Sequence, residues 1–178
     1  MKKLYLMIVL AATTVFTVSA QKKTVKKSPL FSVGLELIAP TGDMRSFYNV
    51  GFGGSGKIEI PATKNLYITA TAGYTSYYLS DNYKNLLRSI GIPTTPTGYI
   101  PLKVGGKYYF NPAFYAEGEI GASLGTNNRS STYFVYSPGI GTSIPLTGKN
   151  AIDIGFRFEG WSQNNDFNQF GLRVAYKF

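Results

Sequence analysis

Residues 170–178 read Phe-Gly-Leu-Arg-Val-Ala-Tyr-Lys-Phe. Phe170, Leu172, Val174, Tyr176 and Phe178 alternate with Gly171, Arg173, Ala175 and Lys177. A period of two gives a β-strand with one apolar face and one polar face. Arg173 and Lys177 stand on the polar face, and the chain stops on an aromatic residue. If this strand closes a two-faced sheet, its pattern should recur upstream.

It recurs seven times. Segment 31–39 sets Phe31, Val33, Leu35, Leu37 and Ala39 against Ser32, Gly34 and Glu36. In 50–60, Phe52, Ile58 and Ile60 oppose Lys57 and Glu59 among several glycines. Segment 66–78 carries Leu66, Ile68, Ala70, Ala72 and Tyr74 opposite Tyr67, Thr69, Thr71 and Thr75. Ile100, Leu102, Val104, Tyr108 and Phe110 oppose Lys103, Lys107 and Tyr109. Next, Phe114, Ala116, Ile120, Ala122 and Leu124 oppose Tyr115, Glu117, Glu119 and Ser123. The sixth segment aligns Phe134, Tyr136, Ile140 and Ile144 around Pro138. Proline cannot donate to a ladder, so a bulge is expected there, leaving the parity of that strand open. In the seventh, Ile152, Ile154, Phe156 and Phe158 oppose Asp153, Arg157 and Glu159.

The charges decide what this sheet encloses. The strands carry Glu36, Lys57, Glu59, Lys103, Lys107, Glu117, Glu119, Asp153, Arg157, Glu159, Arg173 and Lys177, each on the face opposite the large apolar residues. Even with the better parity chosen for each of the six charge-bearing strands, random facing would give this with a chance of about one in sixty-four. Six of these charges are acidic and six basic, so the set is balanced. A water-soluble barrel has the opposite arrangement. No amphipathic helices alternate with the strands to cover the apolar faces. The expected fold is therefore all-β: an eight-stranded antiparallel up-and-down transmembrane β-barrel, with the charges as ion pairs in its lumen.

The rest of the chain is read around that barrel. Lys2 and Lys3 precede an apolar run ending in Val18-Ser19-Ala20, which predicts a signal peptide over 1–20. Residues 21–30 form a basic tail, with Lys22, Lys23, Lys26 and Lys27, and 31–178 form the barrel domain. Much of the net charge of +9 lies in these N-terminal segments, which argues against nucleic acid as a partner. The chain has no cysteine and no histidine. A disulfide framework, a lipid-acylated cysteine and the usual general base are therefore excluded.

The turns at 61–65, 111–113 and 145–150 are short, and the connections after the first, third and seventh strands are longer. This alternation places the short turns and both termini on the periplasmic side. In the connection 79–98, Tyr83, Leu86, Leu87 and Ile90 fall at helical spacing between Asp81, read as an N-cap, and Gly91, read as a C-cap. Aromatics gather at strand ends as interfacial belts: Phe31, Tyr108, Phe110, Phe114 and Phe178 at one rim, Tyr74, Tyr78, Phe134, Tyr136 and Trp161 at the other.

The string Ile-Pro-Leu-Lys-Val-Gly-Gly-Lys-Tyr-Tyr-Phe at 100–110, Tyr115-Ala116-Glu117-Gly118 and the terminal Phe178 resemble the small outer-membrane β-barrel proteins of Gram-negative bacteria. The nearest group is the Bacteroidetes-type porin-family or outer membrane protein beta-barrel domain proteins, with OmpX-like and OmpA-like barrels more distant. The resemblance spans the mature chain. It implies an outer-membrane location and assembly through the barrel-assembly machinery, which would read Phe170, Tyr176 and Phe178 as the terminal signal.

For function, an eight-stranded lumen has room only for side chains. The first reading is a structural or surface-interaction barrel with a plugged polar lumen, monomeric in outer-membrane lipid, whose connection 79–98 meets an extracellular partner. The alternative is a narrow porin-like pore. An enzyme is the least favoured: Glu117 and Glu119 could be a carboxylate pair, but at i and i+2 beside cations they read as lumen ion-pair members. Asp43, Asp81 and Asp166 lie in separate loops without calcium-ligand spacing. No cofactor and no metal is expected.

Overall fold

The computed structural model describes residues 28–91, 94–126, 131–146, 148, 150–162 and 167–178. The expected signal peptide, the four tail lysines, Pro93, Asp166 and the middles of three connections lie outside the described residues. Eight strands follow in order: β1 (Leu30–Thr41), β2 (Tyr48–Pro61), β3 (Leu66–Leu79), β4 (Thr97–Tyr109), β5 (Phe114–Gly125), β6 (Thr132–Pro145), β7 (Ala151–Ser162) and β8 (Phe167–Lys177). Each pairs antiparallel with the next, and β8 returns to β1 to close the barrel.

The opening stretch forms that seam. Ser32 lies opposite Lys177, Glu36 opposite Arg173 and Pro40 opposite Gln169. Past the end of the paired strand, Phe178 N–H donates to Phe31 C=O at 2.9 Å and Phe31 N–H returns the bond at 3.1 Å. The two rings sit 6.3 Å apart on the outside. The last residue thus latches the first strand.

Alternation sorts every strand between two environments. Leu35 is 76% exposed and Ile140 64%, whereas Lys107 is fully buried and Arg173 only 5% exposed. Apolar out and charged in is the arrangement that a lipid solvent requires. Among the described residues no helix is long and apolar enough to cross a membrane.

Prolines interrupt the ladders differently from the expectation. Pro138 pairs with Gly118 on its β5 side, and the register against β7 is the same before and after it, from Tyr136–Gly160 to Gly139–Arg157. There is no bulge and no change of parity. The proline faces outward and opens the β7 ladder for two residue pairs, which a chain held in register on both flanks tolerates. Pro101, which faces inward, opens the β3 ladder in the same way between Ala72–Leu102 and Thr75–Tyr99. The register shift that does occur lies between Tyr48 and Val50 of β2.

Connection lengths are also corrected. The strands run to 11–14 residues, and β7 and β8 stay paired out to Trp161–Phe167, leaving only 163–166 between them. The connection after the seventh strand is therefore short. One long connection remains, 80–96, at the end of the barrel away from the termini (the far end). It holds helix α2 (Asp81–Ser89), while α1 (Met44–Phe47) is a single turn between β1 and β2. The N-cap of α2 is Ser80, one residue before the expected Asp81: its hydroxyl accepts from Tyr83 N–H at 3.4 Å. Gly91 follows the helix at φ +73°, the left-handed conformation that glycine adopts freely.

Candidate functional site

Several of the long charged side chains in the lumen stand opposite glycines. Across the ladders Glu36 faces Gly53, Lys103 faces Gly121, Glu119 faces Gly105, Arg157 faces Gly139 and Gly171, and Arg173 faces Gly155. A barrel of eight strands is narrow, so a residue without a side chain opposite a long one gives it room to lean across. These glycines fall on the inward parity of their strands, a signal that the facing of the charges makes readable.

Near the termini, Lys107 is the centre of a compact group. Its Nζ donates to Glu59 Oε1 and to Asp153 Oδ2, both at 2.8 Å, and lies 3.7 Å from the centre of the Tyr115 ring. Lys177 reaches the same Asp153 oxygen at 3.3 Å and the Tyr109 hydroxyl at 2.8 Å. Tyr115 donates to Asp153 Oδ1 at 2.6 Å, and Tyr109 to Glu59 Oε2 at 3.1 Å. Two lysines and two carboxylates cancel.

Further along the axis the remaining eight charges form one chain of alternating sign. Lys57 pairs with Glu117 and, at 3.3 Å, with Glu119. Lys103 links Glu119, 3.6 Å away, to Glu159 at 2.7 Å. Arg157 joins Glu159, at 3.0 Å, to Glu36, and Arg173 approaches Glu36 at 3.8 Å. Hydroxyls complete the shell: Thr71 donates to Glu119 at 2.6 Å, and Arg173 donates to Ser55 Oγ at 2.8 Å. Both Glu117 and Glu119 are held by Lys57, so neither stands as a free acid or base. Among the described residues no group of acidic side chains could hold a metal ion.

Above this network the lumen changes character. Ile38, Met44, Tyr77, Tyr99, Val135 and Trp161 form a buried apolar cluster, with Tyr48, Tyr133 and Phe167 packed against it. Trp161, expected in the outer aromatic belt, is 3% exposed and points inward. It follows Glu159 by two residues, so it shares the inward parity, and its indole N–H donates to Glu159 Oε1 at 2.7 Å. The same oxygen accepts from Gln169 Nε2 at 2.8 Å, and Gln169 Oε1 accepts from Tyr77 at 2.7 Å. The other belt aromatics named from the sequence do face outward. Phe170, Tyr176 and Phe178 are among the outward-facing aromatics, and Phe170 stacks on Phe156 at 5.5 Å.

Little space remains inside. A void of about 20 Å³ lies among Lys57, Glu117, Glu119, Ser137 and Asp153, room for about one water molecule. The Ser137 hydroxyl, which borders it, has no protein partner among the described residues.

With this geometry in view, comparisons place the chain. The model of the family described as outer membrane protein beta-barrel domain matches residues 8–178, and the chain belongs to that family. No curated protein matches. Among solved structures, it is similar to Ail, the attachment invasion locus protein of Yersinia pestis, at 15% identity and TM-score 0.56, covering 84% of this chain and 97% of that one. Neisserial surface protein A matches at 11% identity and TM-score 0.59, covering 84% and 95%. The outer membrane protein AlkL matches at 11% and 0.52, covering 89% and 95%. These likenesses concern the fold. The protein is thus an integral β-barrel of the bacterial outer membrane.

Proposed function

We propose that this outer-membrane barrel is closed to solutes and works at the cell surface, through the connections at its far end. The carrying observation is the lumen. Twelve charged side chains pair with one another, an apolar aromatic layer seals them from the far end, and the void left within the ionic network is about 20 Å³. A solute would have to separate paired charges in a low-dielectric interior, which is costly. Purified protein in planar bilayers should show no sustained single-channel openings; discrete, reproducible conductance steps would overturn the reading in favour of a narrow pore.

The far end is the side that faces out of the cell on this reading, and the termini lie in the periplasm. The connection 80–96, the one long segment, is then the natural contact for an extracellular partner. A closed sheet leaves no free edge, which supports a monomer. Absence of histidine and cysteine supports a non-enzymatic role.

Export would begin with cleavage after Ala20, leaving the basic segment 21–30 ahead of the barrel. Phe178, with Tyr176 and Phe170, would serve as the assembly signal. Its latch on Phe31 supplies a physical reason for a terminal aromatic. Deleting Phe178 should lower the yield of heat-modifiable barrel in outer-membrane fractions several-fold. Unchanged yield would remove the residue from any role in assembly.

A further inference from the structure

The far mouth of the barrel holds a cup that the closed-barrel reading does not use. It encloses about 210 Å³, and its lining is Met44 with the rings of Phe47, Tyr48, Tyr83, Tyr99, Tyr133, Trp161 and Phe167. These come from five separate places in the chain: α1 with the start of β2, helix α2, and strands β4, β6, and β7 with β8. Below it, Tyr77 and Val135 are fully buried and Ile38 is 2% exposed, so the cup ends blind above the ionic network.

We propose that this cup binds a small neutral molecule with a single planar apolar ring. The lining rings already meet one another edge to face, Tyr99 and Trp161 at 4.9 Å and Tyr99 and Tyr133 at 6.0 Å. A further ring of the same kind gains the same contacts. The volume matches one ring and is below the range of sites for larger ligands.

The polarity of the site narrows the class. A sugar needs convergent amide or carboxylate partners for its hydroxyls, and the lining offers none; tyrosine hydroxyls are its polar groups. An organic cation would gain from the ring faces. It would also meet a mouth that carries Arg45, Lys84 and Arg88 against Asp43 and Asp81, an excess of one positive charge over 42–47 and 80–96. The carboxylate beneath the indole, Glu159, is already held by Lys103 and Arg157. Neither a cation nor a sugar fits as well as a neutral ring.

Helix α2 supplies the cup's outer wall. Tyr83 meets Phe47 edge-on at 5.2 Å, and Ser80 ties the helix to α1, donating from its N–H to Phe47 C=O at 2.8 Å and from its hydroxyl to Ser46 C=O at 2.9 Å. The site therefore rests on the same far-end elements as the proposed surface role. It needs no macromolecular partner and stands or falls separately.

Trp161 is the one tryptophan of the chain and lines the cup, so its fluorescence reports occupancy directly. Full-length mature protein, folded in detergent, would be titrated with 4-iodophenol, whose iodine quenches an indole it touches. Saturable quenching is expected with half-saturation on the order of 1 mM, the range for a ligand of this size. Tyr133→Leu and Tyr83→Ala should each weaken it about tenfold, with heat-modifiable gel migration confirming a folded barrel. Quenching that rises linearly without saturation, or that both folded variants share unchanged, would overturn the site. Displacement of 4-iodophenol by tetramethylammonium or methyl glucoside, and not by phenol, would overturn the ligand class.

Discussion

Lys107→Met should lower the unfolding stability of the folded barrel by about 3–5 kcal/mol, read as a fall in the urea midpoint in lipid vesicles. The cause is not the loss of a favourable bond alone. Lys107 is fully buried, and its Nζ is the cation closest to both Glu59 and Asp153. Methionine matches the stem but leaves those two carboxylates sharing Lys177, which lies 3.9 Å from Glu59 and 3.3 Å from Asp153. One negative charge is then uncompensated among buried side chains, where solvation is poor. A second substitution tests this cause. Lys107→Met combined with Glu59→Gln restores neutrality and should recover at least half of the loss. If the double variant is less stable than the single one, packing rather than charge balance governs the group. Lys84→Met gives the contrasting case, since its pair with Asp81 spans 3.5 Å at an exposed helix surface and exposed pairs contribute about 1 kcal/mol or less.

The same physics explains what the sequence made legible. Lipid outside and a narrow interior demand opposite chemistry on alternate residues, so parity alone assigned the facing of Leu35, Lys107 and Arg173. Partners were a different matter. Arg157 binds Glu36 across 121 positions of chain, and nothing in a strand's own pattern says which lumen residue lies at its height. The aromatic layer was missed for a related reason. Tyr77, Tyr99 and Trp161 are amphipathic, so their type suits a lipid interface as well as a capped lumen; only parity separates the two. For Trp161 the clue was its two-residue spacing from Glu159. Connection lengths failed because polar, glycine-containing segments such as those beside Trp161 and Phe167 still pair when their neighbours hold them in register. Pro138 was read too strictly: a proline costs its own donor, and a closed sheet held on both sides absorbs that loss locally.

Gly121→Ala should prevent the barrel from folding, or destabilise it by more than about 3 kcal/mol, although it adds one methyl group. Gly121 faces inward on β5, opposite Lys103. A Cβ there would stand 2.0 Å from Leu102 O and 2.7 Å from Lys103 Cα, both backbone atoms of β4. Side chains can turn aside, but these atoms cannot move without parting the β4–β5 ladder. Gly105 returns the same constraint from β4, where a Cβ would lie 2.0 Å from Gly118 O. The strands therefore approach closely where Lys103 and Glu119 cross into the lumen, and the glycines are what permits it. Gly118→Ala is the matched comparison. It lies on the same strand three residues away, faces lipid, and its added Cβ would meet nothing within 4 Å. That variant should fold with a stability change within about 1 kcal/mol. The measurement is the folded fraction on unheated gels after refolding both variants into the same lipid vesicles. Equal folded fractions would mean that β4 and β5 can separate enough to admit a methyl group. The charge-opposite-glycine rule would then describe the lumen without being required by it.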